Sequence, residues 1–294
     1  MIDLHIHTHY SDGTDSVIEL LKKAENLNLE CISITDHDNC KAYKELENIN
    51  IKDYYSGKLI NGIEIKCAFK GRLIEVLGYD YDLNKMNVWI DEFYQDRQRK
   101  DLQLKYFNHL YDACIKKGLE MMPKEKWIWN PENDWASVEI YKNIKLHPEN
   151  ETRVPEDLWD DFTTFSKKYC ADLNDDFYID KSKDYPIVEE AINAIKNAGG
   201  KVLVAHVFIY KWADDKEALI KELHENYDID GFECYHSNFS NDQIDYILEY
   251  CEKNVLLKSG GSDYHGKNKP GIELKVGKGN LQIPRDIIKN WEKM

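Results

Sequence analysis

Short apolar runs alternate with amphipathic stretches over the first third of the chain. In residues 2–7, Ile2, Leu4 and Ile6 fall on one face of a strand and His5 and His7 on the other. A helix is predicted through Val17, Ile18, Leu20, Leu21 and Ala24, with Asp15 or Ser16 as its cap. Strands follow at 31–34, 59–65 and 73–77, the last ended by Gly78. Residues 88–118 then read as one long helix ending at Gly118. Residues 119–185 carry Trp, Tyr, Asp, Asn and four prolines, with little strand periodicity. Alternation resumes with a helix at 187–198, a strand at 201–205, a helix at 216–226, a strand at 231–235, a helix at 241–254 and a strand at 255–260. This order predicts an α/β fold, a parallel TIM-like β/α barrel of seven strands interrupted once by a mostly helical cap. The expected boundaries are 1–87 and 186–294 for the barrel and 88–185 for the cap.

Composition narrows the function. The formal net charge is −15, so a broad basic surface for a long nucleic acid duplex is not expected. A small anionic substrate remains compatible, because bound cations reverse the local field. Seven cysteines without a Cys-x-x-Cys pair suit a reducing compartment. No apolar run is long enough to span a membrane and no signal segment opens the chain, so a cytoplasmic protein is expected.

Reactive side chains fall at the ends of the predicted strands. His5 and His7 end the first, and Asp36-His37-Asp38 follows the second. Glu64 closes the third and Glu75 lies on the fourth. His206 follows the fifth, Glu233 and His236 close the sixth, and Asp263 and His265 follow the seventh. In β/α barrels the chemistry sits at the carboxyl ends of strands, so this spacing predicts one shared metal site.

The segments Asp3-Leu4-His5-Ile6-His7-Thr8, Tyr10-Ser11-Asp12-Gly13, Thr35-Asp36-His37-Asp38, Gly62-Ile63-Glu64, Leu77-Gly78-Tyr79, Ala205-His206 and Gly261-Ser262-Asp263-Tyr264-His265-Gly266 resemble the motifs of the PHP (polymerase and histidinol phosphatase) superfamily. Within it the chain is similar to stand-alone, TrpH-like metal-dependent phosphoesterases. The resemblance implies a distorted (β/α)7 barrel, the PHP fold, and two or three divalent ions: Mn, Fe or Zn, with Mg possible. It implies that His5, His7, Glu64 and Asp263 hold the first ion. Glu64 bridges to a second, which His206 also serves, and Asp12, His37 and His265 hold a third. Glu75 stands where the family pattern usually has histidine; a carboxylate there favours harder ions over zinc. Val207 stands where many relatives have proline. The implied activity is hydrolysis of a small phosphorylated substrate, a nucleotide or short oligonucleotide, by a metal-bridged hydroxide, with His5, His7, Glu64, His206 and Asp263 as the catalytic set.

Other residues take supporting roles. Asp36 is expected to orient His37. Glu233 and His236, and Arg97 and Arg99 on the cap's first helix, are candidate substrate contacts, the arginines for phosphate. Trp127, Trp129, Trp135 and Trp159 are read as packing of the cap, with base stacking as the other use. His9, His109, His147 and His224 are read as ordinary surface or half-buried residues. Three alternatives stay open: a histidinol-phosphate-type phosphatase, an amidohydrolase-like C–N hydrolase and a non-catalytic metal-binding module. The oligomeric state is not specified by the sequence.

Overall fold

The computed structural model describes residues 1–291. Seven strands form one sheet in chain order: β1 (Ile2–Ile6), β2 (Cys31–Ile34), β3 (Lys58–Phe69), β4 (Arg72–Tyr79), β5 (Lys201–Val204), β6 (Gly231–His236) and β7 (Leu257–Gly261). The Asp263 N–H donates to the His5 carbonyl and the His7 N–H to the Tyr264 carbonyl, both at 2.9 Å, so the last strand returns beside the first and the barrel nearly closes. The apolar face of the strands packs Ile2, Leu4, Leu77, Tyr79, Leu203 and Leu257 into one buried cluster.

The helices are α1 (Val17–Asn26), α2 (Lys41–Leu46), α3 (Leu83–Tyr94), α4 (Arg99–Lys116), α5 (Ala136–Leu146), α6 (Glu156–Asp160), α7 (Phe162–Lys167), α8 (Val188–Asn197), α9 (Lys216–Asn226) and α10 (Asn241–Lys253). Ser16 caps α1 in a reciprocal box with Glu19, which satisfies donors that the first turn leaves open. Asp15 instead accepts from Lys23 at 2.6 Å and from Tyr264 at 2.8 Å. Among the described residues no helix is long and apolar enough to cross a membrane.

Two expectations are corrected. The barrel is not parallel throughout. Lys70 and Gly71, both at positive φ, connect β3 directly to β4. β4 therefore reverses and pairs antiparallel with β5, Val76 opposite Val204 and Gly78 opposite Val202. The other pairings, β1–β2, β2–β3, β5–β6 and β6–β7, are parallel. The long helix over 88–118 is two helices, because Gln98 is extended at φ −66°, ψ 142°. The carbonyls freed at the end of α3 are taken by side chains: Arg97 donates to Phe93 at 2.5 Å and Gln98 to Tyr94 at 2.8 Å.

The chain divides into two compact units. One comprises Met1–Phe69, Leu73–Glu92 and the residues from Tyr185 on; the other comprises Lys70–Arg72 and Phe93–Asp184. The second unit has its own buried core, including Leu110, Cys114, Ile140, Ile144, Phe165 and Phe177. Trp127 and Trp129 pack against Phe107 at ring distances of 5.1 and 5.0 Å, and Trp159 packs on the same core.

Candidate metal centre

The ends of the strands bring five imidazoles and four carboxylates together. Alternation along β1 puts His5 and His7 on one face, and their Nε2 atoms converge to 3.1 Å. From β3, one Glu64 oxygen lies 3.3 Å from His5 Nε2, 3.2 Å from His7 Nε2 and 3.2 Å from His37 Nδ1. Its other oxygen is 2.9 Å from His206 Nε2. Asp263 Oδ1 faces His7 Nε2 at 3.4 Å and His5 Nε2 at 3.6 Å. Asp12 lies 3.1 Å from His265 Nε2 and 3.6 Å from both His7 and His37. The reversal of β4 brings Glu75 in, 3.2 Å from His206 and 3.9 Å from His37.

His206 and Asp263 both lie at positive φ, 28° and 58°. Non-glycine residues held there are strained, which is characteristic of a site the surrounding structure fixes. Two glycines permit close approach. A Cβ on Gly261 would sit 2.3 Å from the His5 backbone nitrogen, and one on Gly13 would sit 2.4 Å from the His7 carbonyl oxygen. The Gly261-Ser262-Asp263 turn can therefore close on β1 only with glycine at 261.

Most of the outer contacts leave one imidazole nitrogen turned inward. His5 Nδ1–H donates to Glu233 at 2.9 Å, leaving Nε2 for the centre. Ser11 donates to Asp36 at 2.6 Å and lies 3.3 Å from His7 Nδ1, so His7 also presents Nε2. His265 Nδ1–H donates to the Asp263 carbonyl at 2.9 Å. His265 Nε2 and His37 Nδ1 are buried with no hydrogen-bond partner although carboxylates lie nearby. Converging acceptors and orphaned ring nitrogens fit cation ligation better than mutual hydrogen bonding. Three overlapping groups have ligand atoms all within 4.8 Å of one another: His7, Asp12, His37 and His265; His5, His7 and Glu64; and His37, Glu64 and Glu75.

Electrostatics agree. Burial works against an imidazolium at His5, but Glu64 and Glu233 outweigh it and hold the ring well above its ordinary value. Burial is likewise outweighed at His7, raised to about 9 with Asp263 and Glu64, and at His206, raised to about 10 with Glu64 and Glu75. His37 goes the other way, to about 3, through burial and the Lys66 ammonium. Burial would raise Glu64, yet His5 and His37 hold it well below the usual carboxylate range. The field that draws protons to these rings also draws a divalent cation, which binds with proton release.

The remaining candidates fall outside the inner cluster. Glu233 is fully buried and bridges His5 Nδ1 to the His206 backbone N–H, 2.8 Å away. His236, also fully buried, accepts from Asn238 N–H on Nδ1 and meets Asp263 Oδ2 at 3.2 Å through Nε2. Both sit behind ligands. Asp36 takes Thr8 N–H, Thr8 O–H and Ser11 O–H at 2.6–2.7 Å, so it orders the turn after β1. Arg97 donates to the Phe93 carbonyl, and Arg99 to the Glu132 and Asn133 carbonyls at 2.8 and 3.1 Å, stacking over Trp135. Their guanidinium groups are engaged within the inserted unit. Lys66 and Lys269, which sequence reasoning missed, stand beside the centre: Lys269 donates to Asp263 Oδ2 at 2.6 Å, and Lys66 Nζ is 3.9 Å from Glu75. The signal for Lys66 was its i, i+2 spacing from Glu64 on one strand face.

A barrel whose strand ends converge five histidines and four carboxylates carries the donor set of a metal-dependent hydrolase. Residues 3–127 match the family model of the PHP domain. The chain is 26% identical to a 5'-3' exoribonuclease of Haemophilus influenzae, over 99% of this chain and 98% of that protein. It is 22% identical to a 3',5'-nucleoside bisphosphate phosphatase of Chromobacterium violaceum, over 93% and 90%. Among solved structures, one described as a metal-dependent phosphoesterase from Bifidobacterium adolescentis aligns with a TM-score of 0.63 at 22% identity, over 98% of this chain and 94% of that one.

Proposed function

We propose that this chain is a metal-dependent phosphoesterase acting on a nucleotide or a short oligonucleotide. The observation that carries the reading is the overlap of the three ligand groups: His7, His37 and Glu64 each belong to two of them. Ligands shared between groups would support cation positions side by side, as needed to engage several oxygens of one phosphoryl group. The relatives named for exoribonuclease and bisphosphate phosphatase activity support the substrate class.

His5, His7, Glu64 and Asp263 would hold one ion, Glu64, Glu75 and His206 a second, and Asp12, His37 and His265 a third, with His7 also in reach of the third position and His37 of the second. Four carboxylates in the set favour Mn²⁺ or Fe²⁺, with Zn²⁺ or Mg²⁺ compatible. Divalent ions there supply Lewis acidity toward phosphoryl oxygens and toward water. The chain's own contribution is a set of ligands fixed in advance. Glu233 fixes the His5 ring and the His206 backbone, Ser11 and Asp36 support His7, and His236 and Lys269 bind the outer oxygen of Asp263. Ligands so held need little reorganisation as charge develops. The free, buried thiols fit a reducing cytoplasmic setting.

The test is metal analysis of the purified protein, then phosphate release from a nucleotide and oligonucleotide panel with Mn²⁺, beside a panel of amides. Phosphate release, lost at least about 100-fold in His5→Ala together with bound metal, is expected. Amide hydrolysis without phosphate release, or full activity in His5→Ala, would overturn the reading.

A further inference from the structure

We propose that Lys66 and Lys269 are the phosphate-recognising side chains of this centre; the inference rests on the phosphoesterase reading and specifies its substrate contacts. Four carboxylates meet at the cluster, and a phosphoester approaching them is itself anionic. The formal charge of the whole chain, −15, adds to that repulsion. A site of this kind gains from fixed cations at its solvent edge. Arg97 and Arg99 do not present themselves for the role, since backbone carbonyls of the inserted unit engage both guanidinium groups.

Two ammonium groups do stand at that edge. Lys66 shares a face of β3 with Glu64, two residues on, and its Nζ lies 3.9 Å from a Glu75 oxygen, beyond hydrogen-bond reach. Lys269 follows the Asp263–His265 turn and donates to Asp263 Oδ2 at 2.6 Å. Their side chains are 26% and 40% exposed, whereas His5 and His7 are fully buried and Glu64 nearly so. Each lysine therefore reaches from solvent to an outer carboxylate of the cluster: Lys66 on the Glu75 side, Lys269 on the Asp263 side. An ammonium has three donors. Lys269 commits one to Asp263, and Lys66 spends none on Glu75 at its present distance. The remaining donors suit non-bridging phosphate oxygens, which accept strong charge-assisted hydrogen bonds from lysine.

Both groups are also poor candidates for metal ligands, because a protonated amine has no lone pair to give. Their contribution should thus separate from metal binding. The experiment is calorimetric titration of inorganic phosphate into Mn²⁺-loaded protein freed of excess metal, for the wild type, Lys66→Met and Lys269→Met. Metal content is measured on the same samples. The expected result, compared at equal metal occupancy, is phosphate affinity weakened about tenfold in each variant, with metal content unchanged in Lys66→Met, whose ammonium holds no ligand by a hydrogen bond. Lys66→Arg and Lys269→Arg should recover part of the loss.

Unchanged phosphate affinity in the methionine variants would overturn the proposal. So would a loss of phosphate affinity that merely follows a loss of metal, or failure of the wild type to bind phosphate. Because the readout is binding and not turnover, it is independent of the activity panel. Phosphate binding that depends on the lysines, with no phosphoester hydrolysed by the wild type, would defeat the proposed function and leave the lysine assignment standing.

Discussion

Glu233 shows how much of this centre lies behind its ligands. One carboxylate orients the His5 ring through Nδ1 and also holds the His206 backbone at its positive φ. Glu233→Gln keeps the size and one acceptor oxygen but removes the charge. Metal affinity should fall about 10- to 100-fold while the fold is retained, as for other carboxylates that orient metal-bound histidine. Competition with a metallochromic chelator would measure it, and unchanged affinity would show that the carboxylate only packs. At this scale the clustering of the candidate ligands is legible in the sequence, because histidine and acidic residues at strand ends have few reasons to accumulate there. The lysines are not, because lysine ligates nothing while protonated. For Glu233 and His236, candidate substrate contacts by sequence, strand position alone does not distinguish an atom facing a ligand from one facing the cleft.

Among the elements, β4 and the Gly261 turn decide the geometry. An alternating apolar pattern reads the same in either direction, so Leu73–Leu77 disclosed a strand but not its reversal. The direction is set by the two-residue connection Lys70-Gly71, which cannot cross over a sheet to make a parallel neighbour. The reversal matters chemically, since it presents Glu75 beside His206 from a strand running opposite to those carrying the other ligands. The helix break at Gln98 was equally hidden: nothing in Gln95-Asp96-Arg97-Gln98 is a strong helix breaker, and side-chain caps stabilise the stop. Gly261 gives a sharp test of barrel closure. A methyl group there collides with the His5 backbone, so Gly261→Ala should destabilise the protein by about 3 kcal/mol and weaken metal binding. Urea denaturation with and without Mn²⁺ measures both effects. Wild-type stability in the alanine variant would mean that β1 and β7 do not approach as described.

Across the whole molecule, two cores in one chain predict two unfolding events. The inserted unit holds Trp127, Trp129, Trp135 and Trp159, while the proposed metal ligands all lie in the other unit. Mn²⁺ should raise the midpoint of the ligand-bearing unit and leave the other in place, since a ligand stabilises only the structure that binds it. Calorimetric scans at several Mn²⁺ concentrations would show one moving transition and one fixed one. A single transition moving as a whole would show that the two cores unfold together. The thiols give a second global prediction. Burial lifts Cys31 and Cys40 from about 9 to about 11, and Cys114 and Cys170 to about 12. Below pH 9 both folded and unfolded thiols are protonated, so they leave stability unchanged. Above it the unfolded chain loses protons that the folded chain keeps, and stability falls as pH rises toward 11–12. Denaturation at pH 7.5 and pH 10 should show this loss, and thiol reagents at pH 8 should react with the native protein far more slowly than with the denatured one.

The contact between the Asp263 N–H and the His5 carbonyl also has a meaning in time. His5 leaves the ribosome long before Asp263, yet the two side chains face each other across the proposed cation position. A chain still being made can offer His5 and His7, and later Glu64, but not the full set. Ions met during synthesis would find partial, weak sites, and the tight one forms only when β7 swings in at Gly261. Retention of metal would therefore be a readout of synthesis past β7: a chain interrupted before that strand would reveal itself by failing to keep its ions.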